Sequence, residues 1–286
     1  MAPTLRSLAP LLALALACSQ APQRPVSPAE VRALRVAALP EGPDDPAWRA
    51  APVHAAALLP QDVVEPRLLA PSTVSLEAQS LTDGKRVAFR LAWSSPGHAD
   101  TVIPARFSDA VAVQLPARAA PEAPNPMMGE AGLPVEITYW RAAWQAMVDG
   151  RPDTLAALYP NARVDHYPFE AASLAAGSPE QAAMARRFAP ARALGNPMAG
   201  PRPRPVQDLR ATGPGTLSPS EQQVSSGAGK ATPGGWAVVL VRPLPAGLEP
   251  GKRSQVAFAV WQGGQGEVGA RKMRTGWIPL ALEGGK

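Results

Sequence analysis

The chain has one cysteine among its 286 residues, Cys18. That excludes an internal disulfide, a Cys-x-x-Cys-His attachment for c-type haem and any multi-cysteine cluster site, so stability must come from burial. Histidine is scarce too. His54, His98 and His166 fall in separate loops without metal-ligand spacing, which gives poor support to any of them as a catalytic base. There is no Gly-x-Ser-x-Gly and no His-Glu-x-x-His. The glycine-rich runs near Gly213 and Gly227 lack the Lys-Ser/Thr ending of a phosphate loop. The adjacent carboxylates Asp44 and Asp45 read as solvated. Aromatic residues make up only 5% of the chain, and the net charge of +5 is scattered rather than clustered. Without a basic stripe or a binding motif, a nucleic-acid role is not supported.

What is present is proline and glycine, 35 and 24 residues respectively, which implies short elements joined by long loops. A hydrophobic content of 46% suffices for one main core. The start of the chain reads as an export signal over residues 1–17. Arg6 precedes an apolar run, Leu8 to Ala17, that is too short to span a bilayer. Two readings of Cys18 compete: lipidation at this sole cysteine, or a cysteine left beside a conventional Ala-x-Ala cleavage site. In both, the mature chain leaves the cytoplasm for the periplasm, optionally lipid-anchored. Removing residues 1–17 takes Arg6 away, and the charge becomes +4. Residues 18–44 are rich in proline and alanine and look like a tether. A single domain is expected over 45–286, beginning near Asp45-Pro-Ala-Trp48.

Within that domain, residues 73–79 alternate, with Val74, Leu76 and Ala78 on one side. Residues 86–93 alternate again, placing Val87, Phe89, Leu91 and Trp93 together, and Asp83-Gly84 supplies the turn of a hairpin. Strands are also predicted over 107–115 and 133–140. The loop between them, Pro116 to Gly132, is long enough to suggest a functional role and contains Asn125-Pro-Met-Met-Gly-Glu130. Ser178-Pro-Glu-Gln181 predicts a helix start by capping, and Gly195 a stop. Residues 195–235, dominated by glycine, proline, serine and threonine, read as a surface excursion. Strands at 236–242 and 255–261 follow. Many strands and few helices point to a mainly β fold, an antiparallel β-sandwich with a few short helices and long loops.

The run Gln255 to Trp261 is apolar on both faces, so one face meets a core and the other something else. Lys272 lies within reach of that wall. On composition alone it is a surface charge, and Met127 and Met128 are gap-filling side chains. A thioether and a neutral amine are also a donor pair for iron, provided burial or metal bonding removes the lysine's proton.

At these residues the chain resembles the haem b-binding γ subunit of the ethylbenzene dehydrogenase group, with relatives in dimethylsulfide dehydrogenase, selenate reductase and chlorate reductase. The resemblance is carried, in family order, by Asp45–Trp48, Arg106–Gln114, Met128-Gly-Glu130, Tyr139–Ala142, Tyr159–Asn161 with Asp165–Pro168, Gly234–Trp236, and Val256–Trp261 through Arg271-Lys272. It departs at Gln262, where the family usually has Asp. It implies a non-covalent haem b with Met128 and Lys272 as axial ligands of the iron, Met127 being the alternative to Met128. Arg271 and Arg141 flank the matched segments and are candidate contacts to the haem propionates. The implied role is electron transfer with no substrate chemistry in this chain. Single electrons would be relayed between an iron–sulfur subunit, working with a molybdopterin catalytic subunit, and a periplasmic cytochrome or other carrier.

A different reading uses the same strands. An exported β-sandwich lipoprotein would hold a carbohydrate or other small ligand on Trp93, Trp140 and Trp261, whose alternative role is core packing. Colour separates the two, since a sugar-binding sandwich purifies without a Soret band.

Overall fold

A computed structural model describes residues 29–152, 154–162, 177–196, 199–200 and 202–284. The export segment 1–17, Cys18, His166 and the stretch Asp165–Pro168 lie outside the described residues. The strands in chain order are β1 (Val31–Arg35), β2 (His54–Ala57), β3 (Leu59–Pro60), β4 (Ser75–Thr82), β5 (Arg86–Ser94), β6 (Ala110–Pro116), β7 (Val135–Arg141), β8 (Val206–Ala211), β9 (Ser218–Pro219), β10 (Ser226–Thr232), β11 (Gly235–Pro243), β12 (Arg253–Trp261), β13 (Met273–Arg274) and β14 (Ile278–Leu282). Among the described residues four short α-helices accompany them: α1 (Ala142–Val148), α2 (Leu155–Leu158), α3 (Pro179–Phe188) and α4 (Pro190–Ala193). No helix among the described residues is long and apolar enough to cross a membrane.

The strands form one hydrogen-bonded path in the order β10-β11-β5-β4-β1-β14-β12-β6-β7-β8-β9. The β4–β5 hairpin forms as its alternation predicts. At its turn the Asp83 carboxylate accepts the N–H groups of Lys85 and Arg86 at 2.9 and 2.7 Å. The sheet folds over on itself, so that apolar faces of distant strands meet. Phe89 on β5 meets Phe258 on β12 edge-on at 6.2 Å. Trp140 on β7 contacts Trp93 and Trp236 at 6.2 and 5.3 Å. Each such ring pair adds about 0.5–1.5 kcal/mol beyond its buried area. Trp93 and Trp140 therefore belong to the core, with Leu76, Leu240, Val113 and Val260.

A buried carboxylate pins the end of this core. Asp109 accepts hydrogen bonds from Ser95 Oγ at 2.7 Å, Ala99 N at 3.0 Å, Trp236 Nε1 at 2.8 Å and Gly263 N at 2.8 Å. Residues 107–109, predicted as the start of a strand, instead lead into this hub, and β6 begins at Ala110.

The structure corrects several expectations. The sheet is mixed, because β1 runs parallel to both of its neighbours, β4 and β14. β1 also lies inside the segment read as a tether: Val31 and Ala33 are buried in the core and Leu34 packs on a second apolar cluster around Trp48 and Leu81, so the fold begins well before residue 45. Residues 195–235 supply β8, β9 and β10 rather than a surface excursion. The composition of β10 misleads because it passes close to an indole. A Cβ at Gly229 would lie 2.2 Å from Trp140, so only glycine fits there. The helix expected to run on to Gly195 breaks at Ala189, because Pro190 disfavours helical backbone before it and then opens α4.

Candidate functional site

β12 separates two environments, as its two-sided apolar character predicts. Phe258 and Val260 point into the core opposite Val113 and Val111 of β6. On the other face, Ala259 pairs with Ala112, which pairs with Tyr139, which pairs with Gln207. In the next row Ala257, Gln114, Ile137 and Leu209 stand side by side. These residues form the floor of a cavity of about 770 Å³. Its space comes from alanine: Ala112, Ala257 and Ala259 stand where the core face of the same strands carries valine and phenylalanine. The volume falls in the range of small-molecule and cofactor sites.

Two loops that leave opposite ends of these strands wall the cavity. One is the connection between β6 and β7, which brings Pro126, Met127 and Met128 to the lining. Met128 has φ +71°, left-handed backbone that is uncommon for a residue other than glycine. The conformation is held on both sides. Gly129 N donates to Asn125 O at 2.9 Å, and Gly213 N donates to Met128 O at 2.9 Å. Gly129 itself has φ +80° and packs against main chain, since a Cβ there would lie 3.0 Å from Leu133 O and 3.1 Å from Ala211 O. The Met128 side chain packs on the cluster of Ala112, Ile137 and Trp261.

The other wall is the connection from β12 to β13, which contributes Glu267 to Ala270 and then Lys272. The Lys272 ammonium lies 5.4 Å from the centre of the Trp261 ring. Trp261 is fixed by its Nε1–H donating to Gly269 O at 3.0 Å and by an edge contact with Tyr139 at 5.2 Å. Burial, helped by the charge of Arg274, lowers the lysine from its ordinary 10.5 to about 8. The neutral amine, which is the donor form, is thus far more accessible than on a surface lysine.

Of the sequence-derived candidates, Met127, Met128, Arg141 and Lys272 all line the one cavity. Arg271 does not line it, although its Nε is buried without a hydrogen-bond partner. Arg141, at the end of β7, stacks its guanidinium 5.3 Å from the Trp144 ring and also has an unpartnered Nε. His54 and His98 lie elsewhere: His54 sits in β2, and the His98 ring hydrogen-bonds main-chain oxygens of Thr232 and Gly235. Of the tryptophans considered as stacking faces, only Trp261 reaches the cavity.

Some site residues were not singled out from sequence. Gln61 clamps the Lys272 loop, and Arg274 adds a second guanidinium with an unpartnered Nε to the lining. Glu267 is 1% exposed and lines the cavity. Its position in a glycine-rich run carries no sequence signal. Burial, reinforced by the Asp109 charge, pushes its carboxyl up. No group of three or more His, Cys, Asp or Glu is gathered for a metal ion among the described residues. The lining combines the thioethers of Met127 and Met128 and the amine of Lys272 with the guanidinium groups of Arg141 and Arg274 and the carboxyl of Glu267. This set suits a flat apolar group that carries its own metal and anionic substituents, rather than a bare ion.

The family model described as ethylbenzene dehydrogenase matches residues 45–273. A protein of Haloferax mediterranei named "Putative respiratory nitrate reductase heme subunit ORF7" is 25% identical over 262 residues, covering 89% of this chain and 72% of that protein. Among solved structures, a family 9 carbohydrate-binding module from Caldicellulosiruptor kristjanssonii with cellotriose aligns over 89% of this chain and 95% of its own, with 8% identity and a TM-score of 0.39. A "putative carbohydrate-binding protein" from Bacteroides uniformis aligns over 88% and 98%, with 8% identity and a TM-score of 0.42. The chain belongs to the ethylbenzene dehydrogenase family.

Proposed function

We propose that, within the ethylbenzene dehydrogenase family, this chain is a haem b-binding electron-transfer subunit of a periplasmic molybdenum enzyme complex. The observation that carries the reading is that Met128 and Lys272, 144 positions apart in sequence, come from two different loops to line the same cavity. Bound there without a covalent link, haem b supplies a one-electron ferric/ferrous couple.

The chain's own residues would do the rest. Met128 would offer its thioether and Lys272 its amine to hold the haem iron. The alanine floor accepts the flat ring, and Trp261, Tyr139 and Ile137 exclude water from it. Arg141 and Arg274 have buried Nε groups without partners, which suits charge-assisted bonds to the propionates. Were both residues to hold the iron, the group would supply electron transfer only, and the substrate chemistry would belong on a partner chain. Electrons would pass between an iron–sulfur subunit, in contact with a molybdopterin catalytic subunit, and a periplasmic cytochrome or other carrier. Export through residues 1–17 and anchoring at Cys18 complete the proposal.

The test is absorption spectroscopy on the full chain reconstituted with haem. A low-spin haem b spectrum is expected, lost or converted to high spin in Met128→Ala and in Lys272→Ala and retained in Met127→Ala. Unchanged low-spin spectra in both ligand variants would remove the assignment.

A further inference from the structure

Glu267 is the buried acid that the electron-transfer reading leaves unused. Its Oε2 accepts the N–H of Gln262 at 2.8 Å, while Oε1 is buried with no hydrogen-bond partner among the described residues. The Ser72 hydroxyl lies beside the carboxyl without forming a well-shaped hydrogen bond. No lysine, arginine or histidine forms an ion pair with Glu267 among the described residues. Asp109 bears on it from the turn before β6. That residue accepts four hydrogen bonds, from Ser95, Ala99, Trp236 and Gly263. The cations Lys272 and Arg274, further along the same connection, and Arg141 from β7 share the cavity lining.

These surroundings set the two acids apart. An ionised oxygen without donors in an apolar wall loses the solvation it has in water, so Glu267 favours its proton-bound form. A positive charge placed in the adjacent cavity counteracts this and favours ionisation. Removing that positive charge restores the proton-bound form. The coupling is reciprocal: whatever the electron does to proton affinity, the proton does to electron affinity.

We infer that Glu267 takes up a proton when the redox group in the cavity accepts an electron, and releases it on oxidation, making the site a proton-coupled electron relay. The inference rests on the haem reading above. One electron enters from a reduced iron–sulfur donor, and one proton from solvent forms an O–H bond at Glu267 Oε1. Both leave when a one-electron acceptor reoxidises the site, and no other bond forms or breaks.

Potentiometric titration of the haem-loaded full chain, repeated across about pH 5 to 9, tests this. In the wild type the reduction equilibrium should fall by up to tenfold per pH unit within the coupling window, which is about 59 mV for one electron. Glu267→Gln keeps the shape of the side chain and should lose this slope while retaining the low-spin spectrum. A carboxyl-carbon NMR titration of the unsubstituted apoprotein gives a second measure, in which Glu267 should titrate later than the other glutamates. Equal slopes in wild type and variant, or a Glu267 that titrates like a surface carboxylate, would overturn the inference. Failure to bind haem is seen first, in the spectrum, and would sink the haem reading together with this one.

Discussion

The backbone N–H of Gln61 donates to the carbonyl of Lys272 at 2.9 Å, and its side chain reaches one turn of the same loop further to donate to Ala270 O at 3.1 Å. The same amide also donates to Val64 O at 2.7 Å, and its oxygen accepts Val63 N and Val64 N at 2.8 and 2.7 Å. A single side chain thus ties the segment after β3 to the loop that carries the lysine. Gln61→Leu should leave these main-chain groups without partners and cost about 1–3 kcal/mol in urea unfolding. In the haem-loaded protein it should also shift part of the population to high spin, because the loop ahead of Lys272 loses its side-chain tie at Ala270 and keeps only the main-chain bond.

Lys272 makes the apoprotein's stability depend on pH. Its pKa is about 8 when folded and 10.5 ordinarily. Below about 8 the lysine is charged in both states, and the folded state bears the whole cost of burying it. Between 8 and 10.5 the unfolded chain binds the proton that the folded chain has lost, so stability rises with pH. Above 10.5 the cost is gone. Lys272→Met should therefore stabilise the apoprotein at pH 7, bounded at roughly 3 kcal/mol by about 1.4 kcal/mol per pH unit between the two values. Urea unfolding at a series of pH values would show the slope in wild type and its loss in the variant.

Substitutions on the two faces of β12 should have opposite effects. Phe258→Ala opens a hole in the core and should cost about 3–5 kcal/mol. Ala259→Leu adds bulk to the cavity floor, where there is room, and should leave the unfolding midpoint nearly unchanged. Haem titration should show the reverse order, with binding abolished by Ala259→Leu.

The two arginines taken from sequence can be told apart. Arg141 lines the cavity and Arg271 does not. Arg141→Gln should weaken haem binding about tenfold, equivalent to about 1.4 kcal/mol. Arg271→Gln should leave it unchanged, as measured by titrating the apoprotein with haem.

Much of the fold can be read from local pattern: β4 and β5 announce themselves by apolar residues spaced two apart, β11 and β12 by short continuous apolar runs. β1 does not, because only Val31 and Ala33 mark its buried face, and five residues in a proline- and alanine-rich stretch offer no period to detect. β10 is hidden for another reason. Its glycines look like a loop, yet Gly229 is required by the Trp140 indole across the fold, and Gly229 N donates to Gln145 Oε1 at 2.8 Å. At the site, β12 showed that something must lie on its second face, but the identity of Met128 and Lys272 came only through resemblance. Alanines that create a cavity look like ordinary alanines, and Glu267 acquires its character from burial that no local pattern records.

Register across β1 also bears on when this protein can finish folding. Val31 pairs with Leu280 and Ala33 with Ser80, so the strand nearest the start of the sheet is completed by the strand nearest its end. Contacts so distant in sequence close slowly. A chain emerging from its start would hold β1 and β4 with one edge open until residues 278–282 arrive. Until then the sheet has a gap between β1 and β12, and its two halves are joined only once β14 is in place.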